Sequence, residues 1–448
     1  MFNKILIANR GEIALRIIRA CKELQIRTVA VYSEADRDSL HVRFADEDVC
    51  IGPAESVNSY LNIPSIISAA EITDADAIHP GYGFLSEDPH FAEVCESCKI
   101  SFIGPGSDII RLMGDKISAR RLISSAGVPV LPGSGKINNP EEGQKTANKI
   151  GYPVIIKSAG GGGGKGMRVV HSDASFTNAF MMAKAEAGAS GNEIDLYVEK
   201  FLLAPKHIEI QILADKQGNV VYLGERECSV QRRYQKILEE SPSTAIDDNL
   251  RTKMGQAAVK VTRKAGYASV GTVEFLVDKN HDFYIIEVNT RVQVEHPVTE
   301  MVTDVDIIKE QIRIAAGEPL SLTQAEVKSD GHAIECRINA EDPENLLPCP
   351  GTIEALHIPG GPNIRFDTAA YAGGRILPYY DSLIGKLVVK GKNRPEAIEK
   401  MKAALNECTI EGIKTLIPLH RKLLRHSTFV NGRYSTKFLD NFLISSKY

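Results

Sequence analysis

The chain has 448 residues, of which 43% are hydrophobic and 25% are charged, and its formal net charge is −4. This composition is typical of a globular protein, and the length predicts two or three domains because single cores stop growing beyond about 250–300 residues. The weak net charge, without long runs of one sign, predicts that neither nucleic acid nor a membrane surface is a partner. The sequence has no apolar segment of membrane-spanning length and no signal peptide, so we expect a cytoplasmic protein.

The eight cysteines are scattered along the chain, which argues against a disulfide framework. Only Cys95 and Cys98 lie close together in sequence. Their helical spacing with Phe91 and Val94 predicts a buried or half-buried thiol pair, and a metal or redox role is the alternative.

The first residues follow a strand, helix, strand pattern. The predicted elements are Lys4–Ala8, Glu12–Leu24 and Thr28–Tyr32. The turn after the first strand has one glycine where a dinucleotide site requires G-x-G-x-x-G, so we interpret Asp36 as a solvated loop residue and not as a ribose ligand. Residues 79–87 form a glycine-rich loop that suits a rigid, site-facing position, with an ordinary strand-to-helix turn as the alternative. A domain boundary is predicted near residue 114.

Five consecutive glycines, Gly160–Gly164, lie between two strand-like runs, Val154–Lys157 and Met167–Val170. Strands on both sides predict a hairpin instead of the strand-to-helix turn of a P-loop. A tip of bare glycines can bring backbone N–H groups to phosphate oxygens, and Lys157 and Lys165 add positive charge. No H-R-D or D-F-G string follows, which excludes a protein kinase. A flexible linker is the alternative.

Two alternating runs near residue 280 predict a second hairpin, with Lys279–Asp282 as its loop. In that register Asp278 pairs with Phe283, and Glu274 faces Glu287. Directly opposed like charges destabilise a hairpin, so the pair predicts a cation between the two carboxylates. Asn289 lies on the same face, and this set of oxygen ligands suits magnesium bridging to nucleotide phosphates. A solvent-exposed acidic pair is the alternative.

Eight strings, in order along almost the whole chain, resemble the biotin carboxylase subunits of biotin-dependent carboxylases, which are ATP-grasp proteins. They are N-R-G-E-I-A-L-R-I-I-R-A-C (9–21), H-P-G-Y-G-F-L-S-E (79–87), M-G-D-K (113–116), G-G-G-G-K-G-M (161–167), H-I-E-I-Q (207–211), E-R-E-C-S-V-Q-R-R (225–233), E-V-N-T-R-V-Q-V-E-H-P-V-T-E-M (287–301) and G-H-A-I-E-C-R-I-N-A-E-D (331–342). The resemblance implies an α/β and α+β architecture with an ATP-grasp fold. Its domains would be a Rossmann-like domain at 1–114, an ATP-grasp domain at 115–330 with a mobile lid at about 131–203, and a C-terminal biotin carboxylase domain at 331–448.

The resemblance also implies the residues of the nucleotide and metal sites. Phosphate and lid contacts would come from Lys116, Lys157, Gly162, Gly163, Gly164, Lys165, Gly166 and Met167. Glu199 would read the adenine, and His207 and Gln231 would lie near the ribose. Glu274, Glu287 and Asn289 would hold magnesium or manganese, in agreement with the hairpin argument.

Arg291, Gln293 and Glu295 alternate, so we expect the three side chains to project together from a strand. Beside the implied nucleotide site they suit a bicarbonate pocket, in which the guanidinium binds the anion and Glu295 accepts its proton. Lys236 is the expected second cation. Surface charges on an edge strand are the alternative.

The resemblance also implies the residues that contact the substrates. Arg337 would face the ureido oxygen, and Tyr82, Gln293 and Val294 would contact substrate. A salt bridge from Arg337 to Glu335 or Glu341 is the alternative. Tyr234 stands where relatives commonly carry histidine, which removes any role for an imidazole there. Cys228 has no activating base evident in the sequence, so we expect it to be structural.

The implied reaction is ATP- and bicarbonate-dependent carboxylation of biotin through carboxyphosphate, the first half-reaction of acetyl-CoA carboxylase and a step towards malonyl-CoA and fatty acids. The implied partners are a biotin carboxyl carrier protein, carboxyltransferase subunits and a second copy of the chain. Two rivals are another ATP-grasp ligase, such as a carbamoyl-phosphate or purine carboxylating enzyme, and a non-catalytic nucleotide-binding subunit. Lys400 and Lys402 lie in a helical pattern and not in the M-K-M tip of a carrier, so we expect biotin to arrive in trans.

Overall fold

The computed structural model describes residues 1–159, 167–188 and 195–445. Its first unit is a parallel sheet in the order β3-β2-β1-β4-β5 with helices on both faces. The strands are β1 Lys4–Ile7, β2 Arg27–Ser33, β3 Glu47–Gly52, β4 Ala77–His79 and β5 Ser101–Phe102, and the helices are α1 Gly11–Glu23, α2 Leu40–Phe44, α3 Ile63–Ile72, α4 Pro89–Ser97 and α5 Ser107–Gly114. The predicted strand, helix, strand opening is confirmed to within one residue at each end.

One prediction for this unit is wrong. Asp36 is 1% exposed, not solvated. Arg10 reaches it across the first turn with an Nε to Oδ2 distance of 2.6 Å, and the Tyr60 hydroxyl donates to the same carboxylate at 2.7 Å. Arg10 and Tyr60 are far from Asp36 in sequence, which is why local polarity misplaced it.

The second unit carries the glycine-rich hairpin. It contains α6 Lys116–Ser125, α7 Pro140–Ile150, β6 Val154–Ser158, β7 Arg168–Val170, α8 Asp173–Gly188 and β8 Leu196–Lys200. Strands β6 and β7 pair antiparallel, with Val154 opposite Val170, which confirms the hairpin. The predicted lid tip, Gly160–Gly166, with the contacts expected from Gly162, Gly163, Gly164, Lys165 and Gly166, lies outside the described residues.

An eight-stranded antiparallel sheet, in the order β13-β12-β9-β10-β11-β14-β19-β17, joins the middle of the chain to its C-terminal part. Its strands are β9 Lys206–Ala214, β10 Val220–Arg232, β11 Gln235–Ser241, β12 Ser269–Val277, β13 Phe283–Asn289, β14 His332–Asn339, β17 Ile364–Thr368 and β19 Leu383–Gly391, with α9 Asp248–Ala265, α10 His296–Thr303 and α11 Ile307–Ala315 between them. Because β11 pairs with β14, residues from before and after the predicted 330/331 domain boundary lie side by side in one sheet.

Short pairs and helices complete the C-terminal part. They are β15 Gly351–Thr352, β16 Ala355–His357, β18 Arg375–Ile376, β20 Thr409–Glu411, α12 Arg394–Glu407, α13 Ile417–Leu423, α14 Ser427–Val430 and α15 Phe438–Ser445. Helix α12 buries Ile398, Met401 and Leu405 against the sheet, as its spacing predicts. Among the described residues, no helix is both long and apolar enough to cross a bilayer.

A buried ion network joins the first unit to the large sheet. Arg16 of α1 donates to Glu300 of α10 at 3.0 Å, and Arg365 of β17 donates to the other oxygen of Glu300 at 2.7 Å. Unpaired buried charges are costly, so each partner here requires the others. The site described next lies where these parts meet.

Candidate functional site

The acidic hairpin has the predicted facing pair but not the predicted loop. Val277, not Asp278, pairs with Phe283, so the loop spans 278–282. A β-bulge between Ile285 and Glu287 then shifts the register by one residue. Glu274 consequently faces Glu287, and the two errors cancel at the position that matters.

The two opposed carboxylates have different surroundings. Glu274 is buried and accepts hydrogen bonds from His207 at 2.8 Å and from Asn289 and Lys236 at 2.9 Å. Burial opposes its charged form, but Lys236 and His207 hold the pKa of Glu274 below its usual range. Glu287 is 38% exposed, with Lys116 Nζ 3.8 Å from its nearer oxygen. Its pKa is raised by burial and by the Glu274 charge.

This arrangement fits a magnesium ion. The Glu287 side chain is 38% exposed and faces the carboxylate of Glu274, so a cation beside Glu287 would offset the repulsion between the two like charges. Glu274 and Asn289 lie on the same face and supply further oxygen atoms. His207 and Glu209 also place one ligand atom each within 4.8 Å of a Glu274 oxygen, but Glu209 is already paired with Arg226 and Lys236. A bound ion would neutralise phosphate charge.

Lys236 connects the metal residues to the predicted base. Its ammonium group lies 2.5 Å from Glu209, 2.9 Å from Glu274 and 2.6 Å from Glu295. Glu209 is held in turn by the fully buried Arg226. Lys236 is therefore held in one position, and the surrounding carboxylates favour its charged form.

The segment from Arg291 to Glu295 is not a strand, so that prediction is wrong. It is irregular and ends where helix α10 begins at His296, with Glu295 at the N-cap and Pro297 in the first turn. The side chains nevertheless converge. Arg291 donates to the Gln293 amide oxygen at 3.2 Å, and the Gln293 amide donates to Glu274 at 3.2 Å. Glu295 joins them through Lys236.

Glu295 is fully buried and ionised. Burial opposes its charge, but Lys236, Arg337 and Arg226 hold its pKa well below the usual range. The positive end of α10 favours the same form.

Arg337 lies between two carboxylates that sequence reasoning did not pair with it. Its Nε donates to Glu239 at 2.6 Å, and its Nη2 donates to Glu295 at 2.8 Å. The alternative salt bridge to Glu335 or Glu341 is wrong for this structure. Burial opposes the charge of Arg337, but Glu239 and Glu295 raise its pKa.

A small cavity beside α6, β8 and β13 contains two of the residues expected to bind nucleotide, Lys116 and Glu199. Its lining includes Met113, Lys116, Arg120, Tyr197, Glu199 and Glu287. Lys157 lies 2.7 Å and Arg120 2.5 Å from Glu199, and they hold its pKa below the usual range against the effect of burial. Apolar walls with a few charged ends are typical of small-molecule sites.

His207 and Gln231 form a short chain of contacts that ends at Glu274. The Gln231 amide is 3.2 Å from His207 Nδ1, while His207 Nε2 contacts Glu274. Tyr234 occupies the two-residue turn between β10 and β11, with φ of 69° and 49% exposure. A phenol ring therefore stands at the exposed tip of this turn. Met167 directly precedes β7.

Tyr82 and Val294 lie near Lys386 of β19, the register partner of Arg337. The Tyr82 hydroxyl donates to Glu12, and Lys386 Nζ lies 3.1 Å from Glu12 and donates to the Val294 carbonyl at 2.9 Å. Lys386 is fully buried. No local pattern in the sequence marks it, because it alternates with apolar residues in an ordinary strand.

Other residues of the site were also missed by sequence reasoning. Glu87 accepts a hydrogen bond from Arg291 at 2.8 Å. Its loop at 79–87 was expected to face a site, but Glu87 itself was not predicted to belong to it. Glu209, Arg226 and Glu239 lie within strands, but alternation does not predict their grouping: Glu239 is three residues from Lys236, so a strict period of two would put them on opposite faces, and register shifts between β10 and β11 alter that pattern.

The prediction of a buried or half-buried thiol pair is confirmed for Cys95 but is wrong for Cys98, which lies at the exposed C-cap of α4. Cys95 is buried and Cys98 exposed, and burial raises the pKa of Cys95 to about 12. Burial likewise raises the pKa of Cys228 well above its usual value. A thiol in this state is a poor nucleophile.

The fold and the site together are those of an ATP-grasp enzyme, and comparisons with known proteins define the family. Matching family descriptions are "Biotin carboxylase, N-terminal domain" at residues 1–110, "Carbamoyl-phosphate synthase L chain, ATP binding domain" at 115–323 and "Biotin carboxylase C-terminal domain" at 335–441. Biotin carboxylase 1 of Bacillus subtilis is 56% identical over 445 residues, with 99% of each chain covered. The chain belongs to the biotin carboxylase family.

Solved structures agree with this assignment. A biotin carboxylase from Campylobacter jejuni, in a complex with β,γ-ATP, has a TM-score of 0.97 and 49% identity, covering 98% of this chain and 99% of that chain. The biotin carboxylase domain dimer of the Hydrogenobacter thermophilus 2-oxoglutarate carboxylase, in complex with MgADP, ADP and bicarbonate, has a TM-score of 0.95 and 48% identity, covering 98% of both chains.

The metal residues give a direct prediction. Glu287→Gln and Glu274→Gln should each raise the magnesium concentration for half-maximal ATP turnover by about tenfold or more, because each removes an anionic oxygen ligand. The matched control is Glu354→Gln, which changes an exposed glutamate. Magnesium titrations that coincide for all four proteins, including the wild type, would contradict the site.

Proposed function

We propose that the chain carboxylates biotin with ATP and bicarbonate through carboxyphosphate, and that Glu295 is the base of the first half-step. The observation that carries the proposal is the ionised Glu295, which Lys236 and Arg337 contact and Arg291 attracts electrostatically, beside the opposed Glu274 and Glu287. A buried carboxylate among three cations can accept a proton while the cations hold a small oxyanion.

In the first half-step, Glu295 takes the proton of bicarbonate, and the resulting carbonate oxygen attacks the γ-phosphorus of ATP. The bond to the β-phosphate oxygen breaks, ADP leaves and carboxyphosphate remains. Lys116 and Lys157 neutralise phosphate charge from the nucleotide side. Arg291 and Gln293 orient the bicarbonate, since both lie within hydrogen-bonding reach of one another and of the metal residues.

In the second half-step, carboxyphosphate divides into CO2 and phosphate. The phosphate takes the ureido N–H proton of biotin, the nitrogen attacks CO2, and carboxybiotin forms. Arg337 stabilises the negative charge that develops on the ureido oxygen. Tyr82 and Val294 lie next to Lys386, the register partner of Arg337, where they would contact substrate.

The partners follow from this chemistry as proposals. Biotin would be presented on a carrier protein, a carboxyltransferase subunit would consume carboxybiotin with acetyl-CoA as acceptor, and two copies of the chain would form a homodimer. The Hydrogenobacter thermophilus relative, described as a dimer, supports the last proposal. The cytoplasmic location stays a prediction from the sequence.

The test is ATP turnover by the purified chain with bicarbonate and free biotin supplied separately and together. We expect slow ADP release with bicarbonate alone and a clear increase when biotin is added. Turnover that does not increase when biotin is added would favour another ATP-grasp ligase. ATP binding without bicarbonate-dependent turnover would favour a regulatory nucleotide-binding subunit.

Biotin delivery in trans gives a second test. Lys400 donates to the Lys390 carbonyl at 2.8 Å and Lys402 lies 2.7 Å from Glu399, both on the surface of helix α12 and not on a hairpin tip. We therefore expect a blank streptavidin blot for the chain made in cells with active biotin ligase. The carrier protein of the host on the same blot is the control, and a biotinylated band at the mass of the chain would contradict the proposal.

A further inference from the structure

A second pair of opposed glutamates lies in the same sheet. Glu239 of β11 and Glu335 of β14 are register partners, and both are 0% exposed. A third opposed pair, Glu227 and Glu240, is compensated, because Lys206 contacts Glu227 at 2.8 Å and His332 contacts Glu240 at 2.7 Å. In the pair of Glu239 and Glu335, the carboxylate of Glu335 has no such compensating contact among the described residues.

The carboxylates of Glu239 and Glu335 have very few hydrogen-bond partners. Arg337 binds one oxygen of Glu239 at 2.6 Å and is itself shared with Glu295. The other oxygen of Glu239 and both oxygens of Glu335 are buried and make no hydrogen bond within the described part of the chain. The charged or titratable groups that face the pair are Arg337, Glu295, Lys236, Lys386, Cys228 and Cys336.

Two buried carboxylates in this position cannot both be ionised at low cost, because unpaired buried charge is neutralised by uptake of a proton. Burial raises the pKa of Glu239 to about 7, against the lowering effect of Arg337. Burial and the Glu239 charge raise the pKa of Glu335 well above its usual value. The pair therefore titrates as one unit.

We propose that Glu239 and Glu335 share one proton and that this acid–carboxylate pair positions Arg337 for the biotin half-step. The inference rests on the proposed function, which gives Arg337 and Glu295 their roles. When Glu295 takes the proton of bicarbonate, Arg337 loses one of its two anionic partners. Glu239 then keeps the guanidinium oriented through Nε. Loss of the shared proton at alkaline pH adds a second negative charge that draws Arg337 away from the ureido oxygen.

The activity test compares Glu239→Gln and Glu335→Gln with the exposed control Glu354→Gln. Glutamine mimics a protonated acid, so Glu335→Gln should retain most of its biotin carboxylation at pH 7, and its alkaline limb should move up by about one pH unit or more. Glu239→Gln should lower the biotin-dependent rate by about 10- to 100-fold, the scale for a misplaced reacting group. Its biotin-independent ATPase should fall less.

An alkaline limb at the same pH in wild type and Glu335→Gln would overturn the inference. Glu335→Gln that is as inactive as Glu239→Gln at every pH would overturn it too, because an amide would then fail to replace the shared proton. A purely structural role would lower the rate of both variants without moving the pH profile.

Thermal unfolding tests the shared proton independently of activity. A carboxyl whose pKa is raised on folding binds more protons in the folded than in the unfolded state, so its contribution to stability is lost as pH rises from about 4.5 through about 7. The unfolding midpoint of the wild type should fall more steeply with pH than that of Glu335→Gln. Equal slopes would overturn the shared proton. If the wild type shows no bicarbonate-dependent turnover, the proposed function fails, and this comparison still decides the pair.

Discussion

Glu295→Gln is expected to lower biotin-dependent ATP turnover by about two orders of magnitude or more, the contribution usual for a general base. Glutamine keeps the shape of the side chain but cannot accept the proton of bicarbonate. ATP binding should persist, because the nucleotide cavity is lined by other residues, among them Lys116 and Glu199. The measurements are steady-state turnover at saturating bicarbonate and ATP affinity by calorimetry.

Glu354→Gln is the matched control, because it makes the same chemical change at an exposed position. A Glu295→Gln protein that retains most of its turnover would remove Glu295 from the mechanism. Equal loss of turnover and ATP affinity would indicate that the buried carboxylate only maintains the site.

The electrostatics of Glu295 would allow this weakly basic carboxylate to act as the proposed base. Lys236 and Arg337 hold its pKa well below the usual range against the effect of burial, so the free enzyme has an ionised but poorly basic carboxylate. Bicarbonate brings a negative charge to the same cations. Each cation that turns to the substrate raises the basicity of Glu295. The base is therefore expected to become effective when its substrate is bound.

The acidic hairpin illustrates what alternation can predict. Opposed carboxylates and their face follow from the period of two along each strand, and Glu274 does face Glu287. The bounds of the hairpin loop could not be predicted in this way, because the bulge near Ile286 is a main-chain feature with no glycine or proline to mark it. The correct pair was reached through two compensating errors.

The convergence on Lys236 could only be predicted in part. Glu209, Glu274 and Glu295 meet at one ammonium group although 27, 38 and 59 residues separate them from Lys236. Sheet order decides these contacts, and sequence reasoning did not supply the order of the eight strands. For the same reason Glu335 was read only as a partner for Arg337 and not as the partner of Glu239.

Arg337→Met is expected to separate the two half-steps. Carboxybiotin formation should fall by about 100- to 1,000-fold, the cost of losing one donor to a developing oxyanion. Bicarbonate-dependent ATPase without biotin should survive, because Arg337 lowers the pKa of Glu295, and its removal leaves a more basic carboxylate. Arg337→Lys keeps the charge but not the two-sided contact to Glu239 and Glu295, so it should lie between the wild type and Arg337→Met. Carboxybiotin is measured with labelled bicarbonate, and ATPase by ADP release. Equal loss of both activities would mean that Arg337 holds the folded site together and does not act on biotin.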